Sequence, residues 1–285
     1  MKVALLVPAQ WDPQYYELDR TRDMLATGGI FVEPVEWNAL DDARLRSVDG
    51  VLPLIAWGYH LDPGRWFDLL DRVAFRKTPI ANPVSILRWN SDKAYLVELA
   101  EKGVSTVPTL VGHGEEGDGL LARARAEFGN GELIVKPMVS ASAEGTFRLA
   151  PGEGLPEPLA NRRLLVQPFL PAILDQGEMS LIYFGGQFSH AAVKRVKPGD
   201  FRVQPEFGGS EEQIDPPANV RALAEAALAA APGATAYARV DIVMDGDTPR
   251  IMELELVEPD LFLRYAPNGG QAFVSAISEM LSASA

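Results

Sequence analysis

The sequence predicts an α/β protein, because strand-like and helix-like stretches alternate at its start and strands dominate its second half. The apolar stretch of residues 2–7 is followed by a helical pattern over about 15–27 and a second strand-like stretch over 31–37, which is the βαβ order of a parallel sheet. From about residue 104 strand follows strand, and near the C-terminus two alternating stretches flank a turn at 245–249. These patterns predict α/β architecture that changes to α+β in the second half.

Composition limits the classes of function. The chain has 285 residues, of which 47% are hydrophobic and 23% charged, which is typical of a soluble protein with about two domains. Its 26 Lys and Arg against 39 Asp and Glu give a net charge of −13, which argues against nucleic acid or an anionic membrane as a partner. Cysteine is absent, so disulfides and thiolate sites are excluded. Without a secretory or membrane-spanning stretch, we expect a cytoplasmic enzyme or binding protein.

The alternation continues through the first 78 residues. A buried apolar strand is predicted over 50–55 and a helix near 65–76, before a proline-containing connection at 79–83. Residues 1–78 are therefore predicted to form a small parallel-sheet domain. Trp57, Gly58 and Tyr59 follow a strand end, where open sheets often shape a ligand pocket.

Two lysines stand at places where an anion would be favoured. A helix is predicted over 90–103, which puts Lys93 in its first turn against the helix dipole, and a bound anion would resolve that conflict. Lys136 ends the apolar strand 133–137, just before the small-residue loop 140–146, whose backbone N–H groups could approach a phosphate. Considered alone, each lysine could equally be an ordinary surface residue.

Further strands and helices complete the second half. The expected strands cover 106–111, 164–169, 179–184 and 187–196, and the expected helices cover about 217–231 and 271–281. A proline-containing connector, residues 167–170, leaves backbone groups available to a ligand. Four cations, Lys194, Arg195, Lys197 and Arg202, fall within nine residues of an acidic chain. They suggest a polyphosphate ligand, although a charged strand is often only solvated.

The C-terminal hairpin carries the strongest signal. Alternation along its two strands points Asp241, Glu253 and Glu255 to one side, and antiparallel pairing about the turn places Asp241 opposite Glu253. Carboxylates so crowded repel each other, and oxygen-only ligands suit Mg²⁺ or Mn²⁺. A solvated acidic sheet face, with Arg239 neutralising part of the charge, would give the same pattern.

In order along the chain, these features resemble the ATP-grasp superfamily from about residue 80 onwards. The first 78 residues look like the domain that precedes the grasp in the branch of glutathione synthetase and the ribosomal-protein glutamate ligases. The resemblance implies an ATP-grasp fold with an N-terminal Rossmann-like pre-ATP-grasp domain, divided into residues 1–78, a central lid subdomain over 79–165 and a C-terminal subdomain with the metal site over 166–285.

The resemblance also implies residue roles. Lys93 and Lys136 match the lysines that contact ATP phosphates, and Glu178 matches the acid that holds the ribose. The adenine hinge corresponds to Gln167, Pro168, Phe169 and Leu170. Asp241, Glu253 and Glu255 match the metal ligands. Lys194, Arg202 and Arg239 are candidates for contacting phosphate, acyl phosphate or substrate.

The function that follows is ATP-dependent ligation of a carboxylate to an amine through an acyl phosphate, with ADP and phosphate released. ATP and Mg²⁺ or Mn²⁺ are the expected cofactors, a small amino-acid-like carboxylate and an amine the expected substrates, and a homodimer is compatible with the resemblance. Ser180 and Lys194 stand where glutathione synthetase-like members carry arginine, which leaves open a ring-closing ligase similar to those that form D-cycloserine. An ATP-grasp kinase acting on a hydroxyl group, for which no general base is identified, and a non-catalytic nucleotide-binding module also stay open.

Overall fold

The N-terminal part of the chain forms a three-stranded parallel sheet. The computed structural model describes residues 1–9, 18–197 and 208–283. The first elements in chain order are β1 (Lys2–Val7), α1 (Leu18–Thr27), β2 (Phe31–Glu36), α2 (Asp42–Leu45), β3 (Gly50–Leu52) and α3 (Pro63–Arg76). The strands pair in the order β2-β1-β3, and all are parallel. The predicted βαβ start is confirmed.

Two short helices replace the single helix predicted over 90–103. They are α4 (Val84–Ser91) and α5 (Tyr95–Glu101). Asp92 between them has extended backbone angles, φ −109° and ψ 121°, and the N–H of Lys93 donates to the carbonyl oxygen of Met138 at 2.8 Å. The predicted first-turn position of Lys93 was therefore wrong, because its N–H bonds to a distant strand end instead of continuing a helix.

The next elements build a four-stranded antiparallel sheet: β4 (Leu110–His113), α6 (Asp118–Phe128), β5 (Leu133–Pro137), β6 (Phe147–Leu149) and β7 (Arg163–Pro168), in the order β4-β7-β5-β6. The strand predicted from residue 106 begins only at Leu110, since Pro108 has no N–H to donate and Thr106 bridges to Ile251 instead. The predicted division after residue 165 falls inside β7, and the domain bounds remain a prediction.

A five-stranded antiparallel sheet follows, in the order β10-β9-β8-β11-β12. Its elements are α7 (Ala172–Asp175), β8 (Glu178–Phe184), β9 (Gln187–Arg195), β10 (Ser210–Ile214), α8 (Ala218–Ala230), β11 (Tyr237–Asp245), β12 (Thr248–Glu255) and the closing helix α9 (Gln271–Ala283). In the β11–β12 hairpin Asp241 pairs with Glu253, which confirms the predicted register.

A shared core joins the N-terminal sheet to the five-stranded sheet. Phe273 and Ile277 of α9 belong to the same buried cluster as Val3 and Leu5 of β1. The buried side-chain amide of Asn82 donates to the carbonyl oxygens of Tyr237 and Leu256 at 2.9 Å each, and its oxygen accepts the N–H of Ala236 at 2.5 Å. These contacts fix the segment after β3 beside the hairpin. Within the described residues, no helix is both long and apolar enough to cross a membrane.

Candidate active site

A cavity of about 560 Å³ is lined by residues from all three parts of the fold. The structure brings into it every described residue that was predicted to act: Lys93, Lys136, Gln167, Pro168, Phe169, Leu170, Glu178, Lys194, Arg239, Asp241, Glu253 and Glu255. Arg202 lies outside the described residues. The predicted residues that the structure describes therefore line one cavity. The role of each residue remains a prediction.

Asp241 lies at the centre of the charged floor. The Nε atom of Arg239 donates to both of its oxygens at 3.1 Å, Nη2 donates to Oδ2 at 3.0 Å, and the Ser180 hydroxyl donates to Oδ1 at 2.5 Å. Arg239 also pairs with Glu255. Burial alone would raise the pKa of Asp241, but Arg239 and then Lys194 hold it at about 2. Asp241 is therefore ionised at any ordinary pH.

Two lysines pair with the carboxylates on either side. Lys93 pairs with Glu253, and its Nζ atom also donates to the carbonyl oxygen of Ser140 at 2.8 Å. Burial would lower the pKa of Lys93, yet Glu253 raises it above its ordinary value. Lys194 pairs with Glu178 and lies 3.5 Å from Asp241 Oδ1. Strand register explains the second pair, because Glu178 and Lys194 are direct partners on β8 and β9.

The three carboxylates of the hairpin form a donor set that suits a hard divalent cation. Burial raises the pKa of Glu255 to about 8, and the charges of Asp241 and Glu253 add to this despite Arg239 nearby. A cation among these oxygens would relieve that repulsion. In the described part of the chain, no group of three or more His, Cys, Asp or Glu side chains is positioned to bind a metal. Glu253 instead pairs with Lys93, and Asp241 and Glu255 pair with Arg239.

Lys136 differs from the other cations of the cavity. Its side chain is buried, and burial lowers its pKa. In the described ranges its Nζ atom forms no hydrogen bond or ion pair, whereas Lys93, Lys194 and Arg239 each have a carboxylate partner. A buried charge without a counter-ion costs free energy. An anion in the cavity would remove that cost.

The connector of residues 167–170, whose first two residues end β7, is fixed on both sides. The amide of Gln167 donates to the hydroxyl of Thr109 at 2.9 Å, and the N–H of Phe169 donates to the carbonyl oxygen of Glu132 at 2.9 Å. The guanidinium of Arg148 lies 3.8 Å from the centre of the Phe169 ring and pairs with the Glu132 carboxylate at 2.7 Å. The connector is thus a preformed edge of the cavity.

The sequence did not single out Glu258. This residue lines the cavity, and its carbonyl oxygen accepts the indole N–H of Trp57 at 2.8 Å. Trp57 and Tyr59 line the cavity as expected, while Gly58 turns the chain between them with φ 82°. The alternation that marked the other acids ends with β12 at Glu255, so Glu258 carried no periodic signal. Its place after an E-x-E pattern was the available clue.

The fold and these side chains define a class: the chain has the fold of the ATP-grasp ligases, and its similarities indicate an ATP-grasp ligase that forms C–N bonds. It is 29% identical over 304 residues to the cycloserine biosynthesis protein DcsG of Streptomyces lavendulae, covering 98% of both chains. Residues 3–82 match the family model for the N-terminal domain of D-cycloserine synthetase DcsG.

Solved structures agree with this similarity. The crystal structure of D-cycloserine synthetase DcsG matches with a TM-score of 0.85 at 26% identity, covering 99% of this chain and 100% of that one. D-alanine–D-alanine ligase from Bacillus anthracis matches with a TM-score of 0.69 at 16% identity, covering 100% and 97%, which is a likeness of fold. The expected fold class is confirmed.

Proposed function

We propose that this ligase closes a ring: ATP activates a carboxylate, and a nitrogen of the same molecule displaces the phosphate to form D-cycloserine or a close analogue. The cavity carries this proposal, because Lys136, a buried cation without an ion pair in the described residues, shares it with three crowded carboxylates. Support for ring closure comes from the full-length similarity to DcsG in sequence and structure. Under this proposal the chain joins two groups of one molecule rather than two separate substrates.

The proposed reaction has two balanced steps. A carboxylate oxygen attacks the γ-phosphorus of ATP, and ADP leaves with the bond electrons. The nitrogen then attacks the acyl carbon, the C–O bond to phosphate breaks, and the nitrogen loses a proton. Phosphoryl transfer depends mainly on position and on charge stabilisation. Mg²⁺ held by Asp241, Glu253 and Glu255 would neutralise phosphate charge when bound.

The protein side chains would hold the reactants. Lys93 and Lys136 would contact phosphate oxygens, and Arg239 would stabilise the developing acyl phosphate with a guanidinium that is fixed by Asp241. Lys194 would add positive charge beside it. Arg202 is proposed for the same task from the sequence resemblance alone, since it lies outside the described residues.

The nucleotide base and sugar would lie against the connector. The backbone of Gln167, Pro168, Phe169 and Leu170 would bind adenine. Lys194 pairs with Oε1 of Glu178, so Oε2 would accept a ribose hydroxyl. Structures of fold relatives contain ATP in D-alanine–D-alanine ligase and Mg with ADP in the ligase PsnB, which supports both cofactors for this chain.

Phosphate release tests the proposal. The protein would be incubated with ATP and Mg²⁺ plus a D-serine derivative with a nitrogen on its side-chain oxygen, and separately with pairs of amino acids. We expect phosphate release with the single compound and a cyclic product by mass spectrometry. Phosphate release only with two separate substrates would contradict ring closure and indicate intermolecular ligation. A phosphorylated alcohol without free phosphate would indicate a kinase, and no ATP turnover would contradict the ligase.

A further inference from the structure

The acidic residues that line the cavity are not equally matched with cations. Five of them form ion pairs with Lys or Arg: Glu178, Glu211, Asp241, Glu253 and Glu255. Asp260 is exposed and its Oδ1 accepts the N–H of Phe262 at 2.8 Å. Glu258 is partly buried and forms no ion pair within residues 1–9, 18–197 and 208–283. Among the described residues it is a partly buried carboxyl group of the cavity without a matching cation.

Glu258 stands beside aromatic side chains of the N-terminal domain. The indole of Trp57 holds its backbone by the 2.8 Å hydrogen bond to the carbonyl oxygen. Tyr59 lines the same cavity and is close enough to feel the carboxylate: after burial, Glu258 is the charge that most raises the pKa of Tyr59, ahead of Glu253. A carboxylate with neighbouring aromatic rings is the usual environment for an organic ammonium group.

The cavity therefore contains one basic and one acidic side chain, both buried or partly buried, that have no ion-pair partner in the described residues. Lys136 favours an anion, which the phosphates of ATP would supply. Glu258 lies three residues beyond the proposed ligand Glu255, on the loop that follows β12. Burial, followed by the charge of Glu255, raises the pKa of Glu258 to about 8, and a cation bound there would favour the ionised form of this carboxyl group.

We propose that Glu258, with Trp57 and Tyr59, forms the subsite for the free ammonium group of the substrate. The substrate is then an amino acid whose carboxylate is activated while its α-amino group stays unreacted and bound. This inference rests on the proposed function for the activated carboxylate. It adds the residue that selects an amino acid over a simple carboxylic acid.

Binding of the product tests the subsite. The full-length protein would be titrated calorimetrically near neutral pH with D-cycloserine and with its analogue that lacks the amino group. A hydrogen bond to a charged group supports a preference of about tenfold or more for the amino compound. Glu258→Gln should remove that preference, Glu258→Asp should keep part of it, and Glu225→Gln on the exposed face of α8 should keep all of it. Circular dichroism would report whether each variant is folded.

The outcomes separate this subsite from the proposed function. Loss of the amino preference in Glu258→Gln with its retention in Glu258→Asp supports the subsite. An unchanged preference in Glu258→Gln, or equal binding of both compounds by the wild-type protein, overturns it even where phosphate release continues. Absence of phosphate release, with the preference present and dependent on Glu258, would overturn the ring-closing function and leave the ammonium subsite standing. If Glu258→Gln does not fold, loss of the preference in a folded Glu258→Asp would also contradict the proposal, because the charge is retained.

Discussion

Two parts of the cavity lining, which we call the nucleotide end and the substrate end after the functions proposed for them, are built differently. At the nucleotide end, charged side chains come from regular strands and meet partners set by register, as with Glu178 opposite Lys194 and Asp241 opposite Glu253. At the substrate end, Trp57 follows the short strand β3 and Glu258 follows the hairpin, and both lie outside regular strands. The first end is a rigid framework for the proposed nucleotide. The second is formed by loops, where specificity is usually located.

The difference also appears in how charge is balanced. The nucleotide end holds its carboxylates in ion pairs and leaves one buried cation, Lys136, without a partner in the described residues. The substrate end leaves one partly buried carboxyl group, that of Glu258, without an ion-pair partner in the same part of the chain. The nucleotide end therefore suits an anionic group and the substrate end a cationic group. Variants at Lys136 and at Glu258 should then affect the binding of different ligands.

The largest expected effect is at the nucleotide end. Glu253→Gln removes a proposed metal ligand and should lower ATP-dependent phosphate release at least about a hundredfold. It also leaves Lys93 without its main partner, so the free energy of unfolding should fall by roughly 2–3 kcal/mol. Steady-state phosphate assays and urea denaturation would measure both.

The double variant Lys93→Met with Glu253→Gln provides the matched control. It should regain much of the lost stability, because neither charge remains, while phosphate release stays low. Full activity in the single Glu253→Gln variant would remove Glu253 from the metal site.

A second comparison concerns Lys93 and Lys136, the two lysines that are proposed to contact phosphate. Lys136→Met should raise the free energy of unfolding of the ATP-free protein by about 1 kcal/mol, because it removes a buried charge that has no ion pair with the residues the structure describes. The same change should weaken ATP binding about tenfold or more. Lys93→Met should instead lower stability, since it leaves Glu253 unpaired. Equal stability effects at both positions would show that Lys136 has a counter-ion.

The sequence predicted residues of the nucleotide end better than Glu258 at the substrate end. Alternation placed Asp241, Glu253 and Glu255 on one face because strand geometry repeats every two residues, and the observed register agrees. The helix predicted around Lys93 is interrupted because the backbone N–H of Lys93 donates to Met138, which is distant in sequence, and a local pattern carries no sign of that contact. Glu258 lacked a signal for the same reason: its neighbours are brought by tertiary packing.

The stability of the protein should also depend on pH. The pKa values of Glu255 and Glu258 are about 8 in the folded state, against an ordinary value of 4.5. Between these values the folded protein keeps protons that the unfolded chain releases, so the free energy of unfolding should fall as pH rises from 4.5 to 8. Allowing for solvent screening, the fall should total about 2 kcal/mol.

Substitutions of the two glutamates would show how much each contributes to this pH dependence. Glu255→Gln and Glu258→Gln should each flatten part of the slope measured by urea denaturation at several pH values. Asp241 acts in the opposite direction: its pKa lies at about 2 instead of 3.8, so its stabilisation is present above 3.8 and is lost as pH falls toward 2. A slope unaffected by either glutamine variant would contradict the assignment.

The smallest effect is expected from Trp57→Phe. This change keeps an aromatic ring and removes the indole N–H that donates to the carbonyl oxygen of Glu258. The loss of one neutral hydrogen bond should raise the KM for the amino acid substrate about three- to tenfold while the KM for ATP stays unchanged. An equal rise in both values would show that the two ends are not separable.

All the proposed residue roles depend on formation of an acyl phosphate, which oxygen isotope transfer would detect. The substrate that supports phosphate release would be prepared with ¹⁸O in its carboxylate, and the released phosphate would be analysed by mass spectrometry. We expect each phosphate to carry one oxygen from the carboxylate, because the C–O bond to that oxygen breaks in the second step. Phosphate without the label, or label found in AMP, would contradict it.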